Sequence, residues 1–98
     1  MDIRKTENGN TVTLELTGRL DTTTAPQMEA VLKDCIEDAD ALILDFDRLD
    51  YISSAGLRVL LSAQKVMGKK EGMKIHHVCP EIMEVFEITG FTDILTIE

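Results

Sequence analysis

The feature that most constrains this chain is a change of hydrophobic period near its middle. Ala41-Leu42-Ile43-Leu44-Asp45-Phe46 is an apolar run of strand length. Further on, Leu57, Leu60, Leu61 and Met67 recur at helical spacing, and Val59, Ala63 and Val66 widen the same face. A buried strand must therefore run into a buried helix. The connecting residues, Asp47-Arg48-Leu49-Asp50-Tyr51-Ile52-Ser53-Ser54-Ala55-Gly56, put two serines at the helix mouth. The first turn of a helix has amides without intrahelical partners and carries about +0.5 of an elementary charge. Ser53 or Ser54 can cap that helix, or a serine there can carry a phosphate that the free amides help to hold. Ser54, Arg58, Ser62, Lys65 and Lys69 fall on one polar stripe of an otherwise apolar helix, the pattern of a presented surface.

The segment before the central strand begins with a β-hairpin. Asp2 to Thr6 is a short strand, Asn8-Gly9 is a strong turn dipeptide, and Thr11 to Thr17 alternates with Val12, Leu14 and Leu16 on one side. Gly18 is read as the end of that strand and Asp21 to Thr24 as a polar loop. Thr24 and Gln27 have capping-box spacing, and Pro26 is tolerated in a first turn. The helix predicted from about Ala25 to Glu37 buries Met28, Val31, Leu32, Cys35 and Ile36, with Cys35 as a small core hydrophobe.

After the central helix, Lys69-Lys70-Glu71-Gly72 is an exit, and Met73 to Val78 reads as a strand. His76 and His77 are adjacent, so strand alternation turns them to opposite faces and argues against a shared metal ion, with or without Cys79. Pro80 opens a helix bearing Ile82, Val85, Phe86 and Thr89, Gly90 closes it, and Ile94 to Ile97 forms a last strand. The order β-β-α-β-α-β-α-β predicts an α/β fold: a mixed sheet of about five strands, an N-terminal hairpin and about three helices joined by parallel crossovers. The serine loop then lies between the carboxyl end of a strand and the start of a helix, where open α/β sheets tend to place sites.

With 98 residues the chain is expected to be a single domain, residues 1–98. A net charge of -8 argues against nucleic acid or an anionic membrane surface as partner and suits a protein with basic residues. No apolar run approaches the roughly 20 residues of a membrane span, no secretory signal is present, and Cys35 and Cys79 do not make a disulfide framework. These features together predict a cytoplasmic location. Nucleophile-elbow, phosphate-loop and dinucleotide motifs are absent, so the chain reads as a binding module, not an enzyme, without cofactor or metal. Asp47 and Asp50 could receive phosphate or bind Mg²⁺ after a strand, but the early acidic pair and late lysine of a receiver domain are not evident.

Tyr51-Ile52-Ser53-Ser54-Ala55-Gly56-Leu57-Arg58 resembles the signature of the STAS domain family, specifically the bacterial anti-sigma factor antagonists. Leu16-Thr17-Gly18-Arg19-Leu20-Asp21 is similar to the family's other marker, and together the two extend the resemblance over nearly the whole chain. Matching Gly56-Leu57 to the family's Gly-Leu implies Ser54 as the phosphorylated residue, with Ser53 the less favoured acceptor, standing where many members have Asp. The resemblance also implies a partner surface that includes Asp21, Ser53, Ser54, Gly56 and Arg58, although a loop carboxylate such as Asp21 also serves local hydrogen bonding. The implied partners are an anti-sigma factor with serine kinase activity, which would use Mg-ATP, and a serine phosphatase. The unmodified form would bind the anti-sigma factor and free a sigma factor. STAS domains usually continue into a further C-terminal helix, and the sequence stops before one. The alternatives are a constitutive STAS subunit of a signalling scaffold or transport complex, and a nucleotide-binding module.

Overall fold

The computed structural model describes all of residues 1–98. Its elements are β1 (Asp2–Asn8), β2 (Thr11–Leu20), α1 (Ala25–Cys35), β3 (Ala41–Ile52), α2 (Ser54–Met67), β4 (Gly72–His76), α3 (Pro80–Thr89), a short 3-10 turn (Phe91–Asp93) and β5 (Thr96–Ile97). They form the mixed five-stranded α/β sheet expected, in the order β1-β2-β3-β4-β5. The Asn8-Gly9-Asn10-Thr11 turn makes β1 and β2 antiparallel, and β2, β3, β4 and β5 are mutually parallel.

This order decides where the core lies. The parallel strands follow one another without reversal, so crossovers of one hand put α1, α2 and α3 on the same face of the sheet. Leu14 and Leu16 of β2, Leu42, Leu44 and Phe46 of β3 and Met73 and Ile75 of β4 meet Met28, Leu32, Leu57, Leu60, Met67, Ile82 and Phe86 in one cluster. No polar or charged residue is buried as a whole. Cys35 is in the core, and burial pushes its thiol pKa up. The opposite face presents Thr13, Glu15, Ile43, Asp45 and Lys74, none of them buried. Because the strand order has no reversal among its parallel members, no crevice opens at the carboxyl ends of the strands.

Several boundaries differ from the sequence reading. Strand β3 does not stop at Phe46 but continues to Ile52, through residues expected to form an acidic connection. The register runs Glu15↔Asp45, Thr17↔Arg48, Gly18↔Leu49 and Arg19↔Tyr51, so β3 carries an extra residue at two places. These bulges change the spacing of its buried residues from two (Leu42, Leu44, Phe46) to three (Phe46, Leu49, Ile52), which hides the strand from a period-two search. Gly18 does not end β2; it sits inside the strand at φ 109, next to one of the shifts, a conformation open to glycine.

Helix α1 is shorter than predicted, ending at Cys35, and its capping box does not form. Thr24 makes no side-chain cap bond; its Oγ1 instead donates to Arg19 O at 2.7 Å and accepts from Asp21 N at 2.9 Å. The Gln27 amide reaches Met1 O at 2.9 Å. Lys70, read only as part of a helix exit, donates to Ile36 O, Glu37 O and Ala39 O at 2.9, 2.7 and 2.8 Å, neutralising the carbonyl end of α1. Strand β5 is confined to Thr96–Ile97, because the 3-10 turn takes Phe91–Asp93 and Leu95 turns into the core. Thr89 is exposed and bonds back to Val85 O. No helix is long and apolar enough to cross a membrane.

Candidate functional site

The two marker sequences meet at the carboxyl end of the sheet. Leu20 pairs with Ile52, and Ser53 N donates to Leu20 O at 2.9 Å, so the Asp21 loop and the head of α2 leave the sheet side by side. The reason they can do so is Gly56. A Cβ at that position would lie 2.8 Å from Ile52 Cγ1, 2.8 Å from Leu20 Cγ and 2.9 Å from Leu20 O. Only a residue without a side chain lets the first turn of α2 rest on β2 and β3. Gly56 is therefore buried: it sets the position of the surface expected to include it and offers no side chain to a partner.

The adjacent serines have opposite environments. Ser53 is the N-cap by backbone, with φ -104 and ψ 178, and its carbonyl accepts the first intrahelical bond, from Leu57 N at 2.9 Å. Its hydroxyl makes no capping bond, and its Oγ is enclosed without a hydrogen-bond partner. Ser54, the first helical residue, is exposed. Its amide and those of Ala55 and Gly56 belong to the first turn, which lacks intrahelical acceptors, so partial positive charge collects there.

Arg58, Ser62, Lys65 and Lys69 are also exposed, continuing the stripe below Ser54. Arg58 takes part in no ion pair. The helix is less uniformly apolar elsewhere than its sequence suggests: Val66 is 43% exposed and Leu61 is half-buried.

Asp21 is tied into its own loop. Its Oδ1 accepts from Thr23 Oγ1 at 2.7 Å, Thr23 N at 2.9 Å and Thr24 N at 3.2 Å, and its Oδ2 lies 3.6 Å from Arg19 Nε. The Thr23 hydroxyl bond, with the two amide bonds, holds its carboxyl below the usual range. Asp21 thus braces the loop and remains a fixed negative charge on it. Beside it, the Arg19 guanidinium lies 4.1 Å from the centroid of the Tyr51 ring, and both side chains are exposed. Both residues lie in the marker motifs, but neither carries a local sequence signal of the pairing. Their pairing depends on the bulged β2–β3 register, which no local pattern reveals.

The other candidates build no ligand set. Asp47 and Asp50 are exposed residues of β3, not loop ligands. The expected alternation of the histidines fails because β4 ends at His76, and His77 adopts a left-handed φ of 60. His77 Nδ1 lies 3.0 Å from Asp45 Oδ1, while His76 faces Glu98 at 3.4 Å. No three His, Cys, Asp or Glu side chains are placed to hold a metal ion. A depression of about 390 Å³ is lined by residues that include Arg4, Glu15, Asp45 and Arg48 and by none of Asp21, Ser54 or Arg58. The serine site lies outside that depression.

A helical layer on one face of a mixed sheet, with a glycine-seated serine at a helix head, defines a class of small α/β domain. The family profile described as "Mlab, STAS domain" matches residues 3–96, and the chain belongs to the STAS domain family. It is 39% identical over 84 residues to a Bordetella bronchiseptica protein provisionally named anti-sigma factor antagonist BtrV, covering 84% of this chain and 72% of that protein. The crystal structure of an anti-sigma factor antagonist from Mycobacterium paratuberculosis superposes with a TM-score of 0.89 at 21% identity, covering 98% of this chain and 83% of that one. The Bacillus cell fate determinant SpoIIAA in its phosphorylated form superposes with a TM-score of 0.77 at 21% identity, covering 99% and 91%.

Proposed function

We propose that this chain is a phosphorylation-controlled anti-sigma factor antagonist acting as one cytoplasmic domain, residues 1–98. The unmodified protein binds an anti-sigma factor that is also a serine kinase and so releases a sigma factor. The kinase transfers the γ-phosphoryl group of Mg-ATP to Ser54 Oγ, ADP leaves, and the hydroxyl proton passes to a base on the kinase. A serine phosphatase returns the hydroxyl.

The observation that carries this reading is the contrast between the serines: Ser54 is exposed at the head of α2, whereas the Ser53 hydroxyl oxygen is enclosed. The named relative at 39% identity supports the antagonist role. The switch has a sound physical basis. Phosphate adds about -1.5 to -2 of charge and three strong acceptors to the middle of a docking surface. The helix N-terminus favours that anion by about 0.3–1 kcal/mol, so the fold survives while the interface fails. Switches of this kind have couplings of about 1–3 kcal/mol. Arg58, one turn along α2 from Ser54, and the Arg19–Tyr51 pair beside Asp21 belong to residue types that often anchor interfaces. The nucleotide-binding alternative gains no support from the 390 Å³ depression, whose lining does not include Ser54.

The test is kinase incubation followed by peptide mapping, together with titration of the cognate anti-sigma factor. Ser54→Ala should abolish labelling and retain binding, Ser53→Ala should preserve both, and Ser54→Asp should weaken binding by less than phosphorylation does. Label on Ser53 alone would show that the wrong serine has been chosen. Unchanged affinity after phosphorylation would point instead to a constitutive STAS subunit.

A further inference from the structure

Arg58 is an exposed cation without an ion-pair partner one helical turn below Ser54. Helical Cα–Cβ bonds tilt toward the N-terminus, so a side chain at this position leans back over the preceding turn. Residues four apart have Cβ atoms about 5–6 Å from each other, and an acid placed N-terminal to a base at this spacing is the favoured orientation. Arg58 is thus aimed at the point where a phosphoryl group on Ser54 would emerge. The guanidinium fork matches phosphate oxygens in a bidentate manner.

The other cations are less well placed or already engaged. Arg19 is stacked 4.1 Å from the Tyr51 centroid and lies 3.6 Å from Asp21 Oδ2. Lys65 is eleven positions from Ser54, a rise of about 16 Å along the helix axis. Asp21 and Asp50, on the segments beside the head of α2, are the acidic groups that oppose a phosphate there, and neither pairs with Arg58.

We propose that Arg58 is an internal receptor for the phosphoryl group on Ser54, closing a Ser54–Arg58 clamp that the unmodified protein lacks. The proposal rests on Ser54 being the acceptor and adds a second action to the switch. Modification introduces negative charge at the docking surface, and it also withdraws from the partner the one free arginine on the α2 stripe.

The test needs neither kinase nor partner, so it can fail independently of the proposed function. Phosphoserine is incorporated genetically at position 54 of the full chain, and its second ionisation is followed by ³¹P NMR in the parent, Arg58→Ala, Arg58→Lys and Arg19→Ala proteins. The helix amides, Asp21 and Asp50 act in all four, so the comparison isolates the substituted arginine. An adjacent cation favours the dianion, and the parent should ionise about half a pH unit below Arg58→Ala, a roughly threefold change in the ionisation constant. Arg58→Lys should fall between them, Arg19→Ala should match the parent, and 1 M salt should narrow the gap. A difference of less than about 0.1 unit between the parent and Arg58→Ala, or a larger effect from Arg19→Ala, would overturn the clamp.

Discussion

Gly56→Ala adds a single methyl group where the structure has no space for it. The new carbon would lie 2.8 Å from both Ile52 Cγ1 and Leu20 Cγ and 2.9 Å from Leu20 O. Carbon–carbon contacts are comfortable at about 3.5–4.0 Å, so the first turn of α2 must lift by roughly 0.7–1 Å or its neighbours must shift. They have little freedom: Leu20 and Ile52 are buried, and Leu20 O already accepts from Ser53 N. Overpacking of this kind costs about 1–3 kcal/mol, against which alanine regains at most about 1 kcal/mol of helix propensity. The expected net loss is about 1–2 kcal/mol, or a fall in Tm of roughly 5–15 °C for a domain of this size. Urea unfolding followed by circular dichroism should show a lower midpoint with an unchanged slope. Ser62→Ala, on the exposed stripe, should stay within about 0.5 kcal/mol of the parent. A Gly56→Ala protein as stable as the parent would refute the claim that close helix–sheet contact positions Ser54.

The Asp45–His77 pair predicts a pH dependence. Its bond to Asp45 raises the His77 pKa; partial burial pushes Asp45 up, but hydrogen bonds from Asp47 N and His77 outweigh it and lower the carboxyl. The His77 contribution is therefore complete below its unfolded pKa of about 6.5 and lost as pH rises through the raised folded value. The Asp45 contribution is complete above about 3.9 and lost as pH falls through the lowered one. Urea midpoints at about pH 5.5 and 8.5 should show His77→Ala losing part of the parent's decline, and parallel declines would remove the pair from the account. Lys70→Met removes three bonds to the carbonyl end of α1 and should cost about 1 kcal/mol in the same assay, whereas no measurable loss would mean that water replaces the ammonium fully.

The sequence alone determined the element order, the hairpin at Asn8-Gly9, the amphipathic faces of the helices and the position of the serines at a helix mouth. Those features are encoded by local rules: the period of apolar residues, turn dipeptides, and Gly or Pro at element ends. They also sufficed for the family resemblance, because Gly56-Leu57 and Gly18-Arg19-Leu20-Asp21 are contiguous motifs. What lay beyond local rules depended on pairing between distant segments. The two bulges that carry β3 to Ile52 exist only relative to β2, so the strand looked finished at Phe46. The same register brings Arg19 to Tyr51 and Leu20 O to Ser53 N. Thr24 had capping-box spacing, yet its hydroxyl went to Arg19 O, a partner supplied by the tertiary turn. Ser53 and Ser54 are equivalent hydroxyls in sequence; contact of α2 with the sheet through Gly56 encloses one and leaves the other exposed. Periodicity can assign a residue to a face of its own element, but only the packing of that element against others decides whether the face is covered.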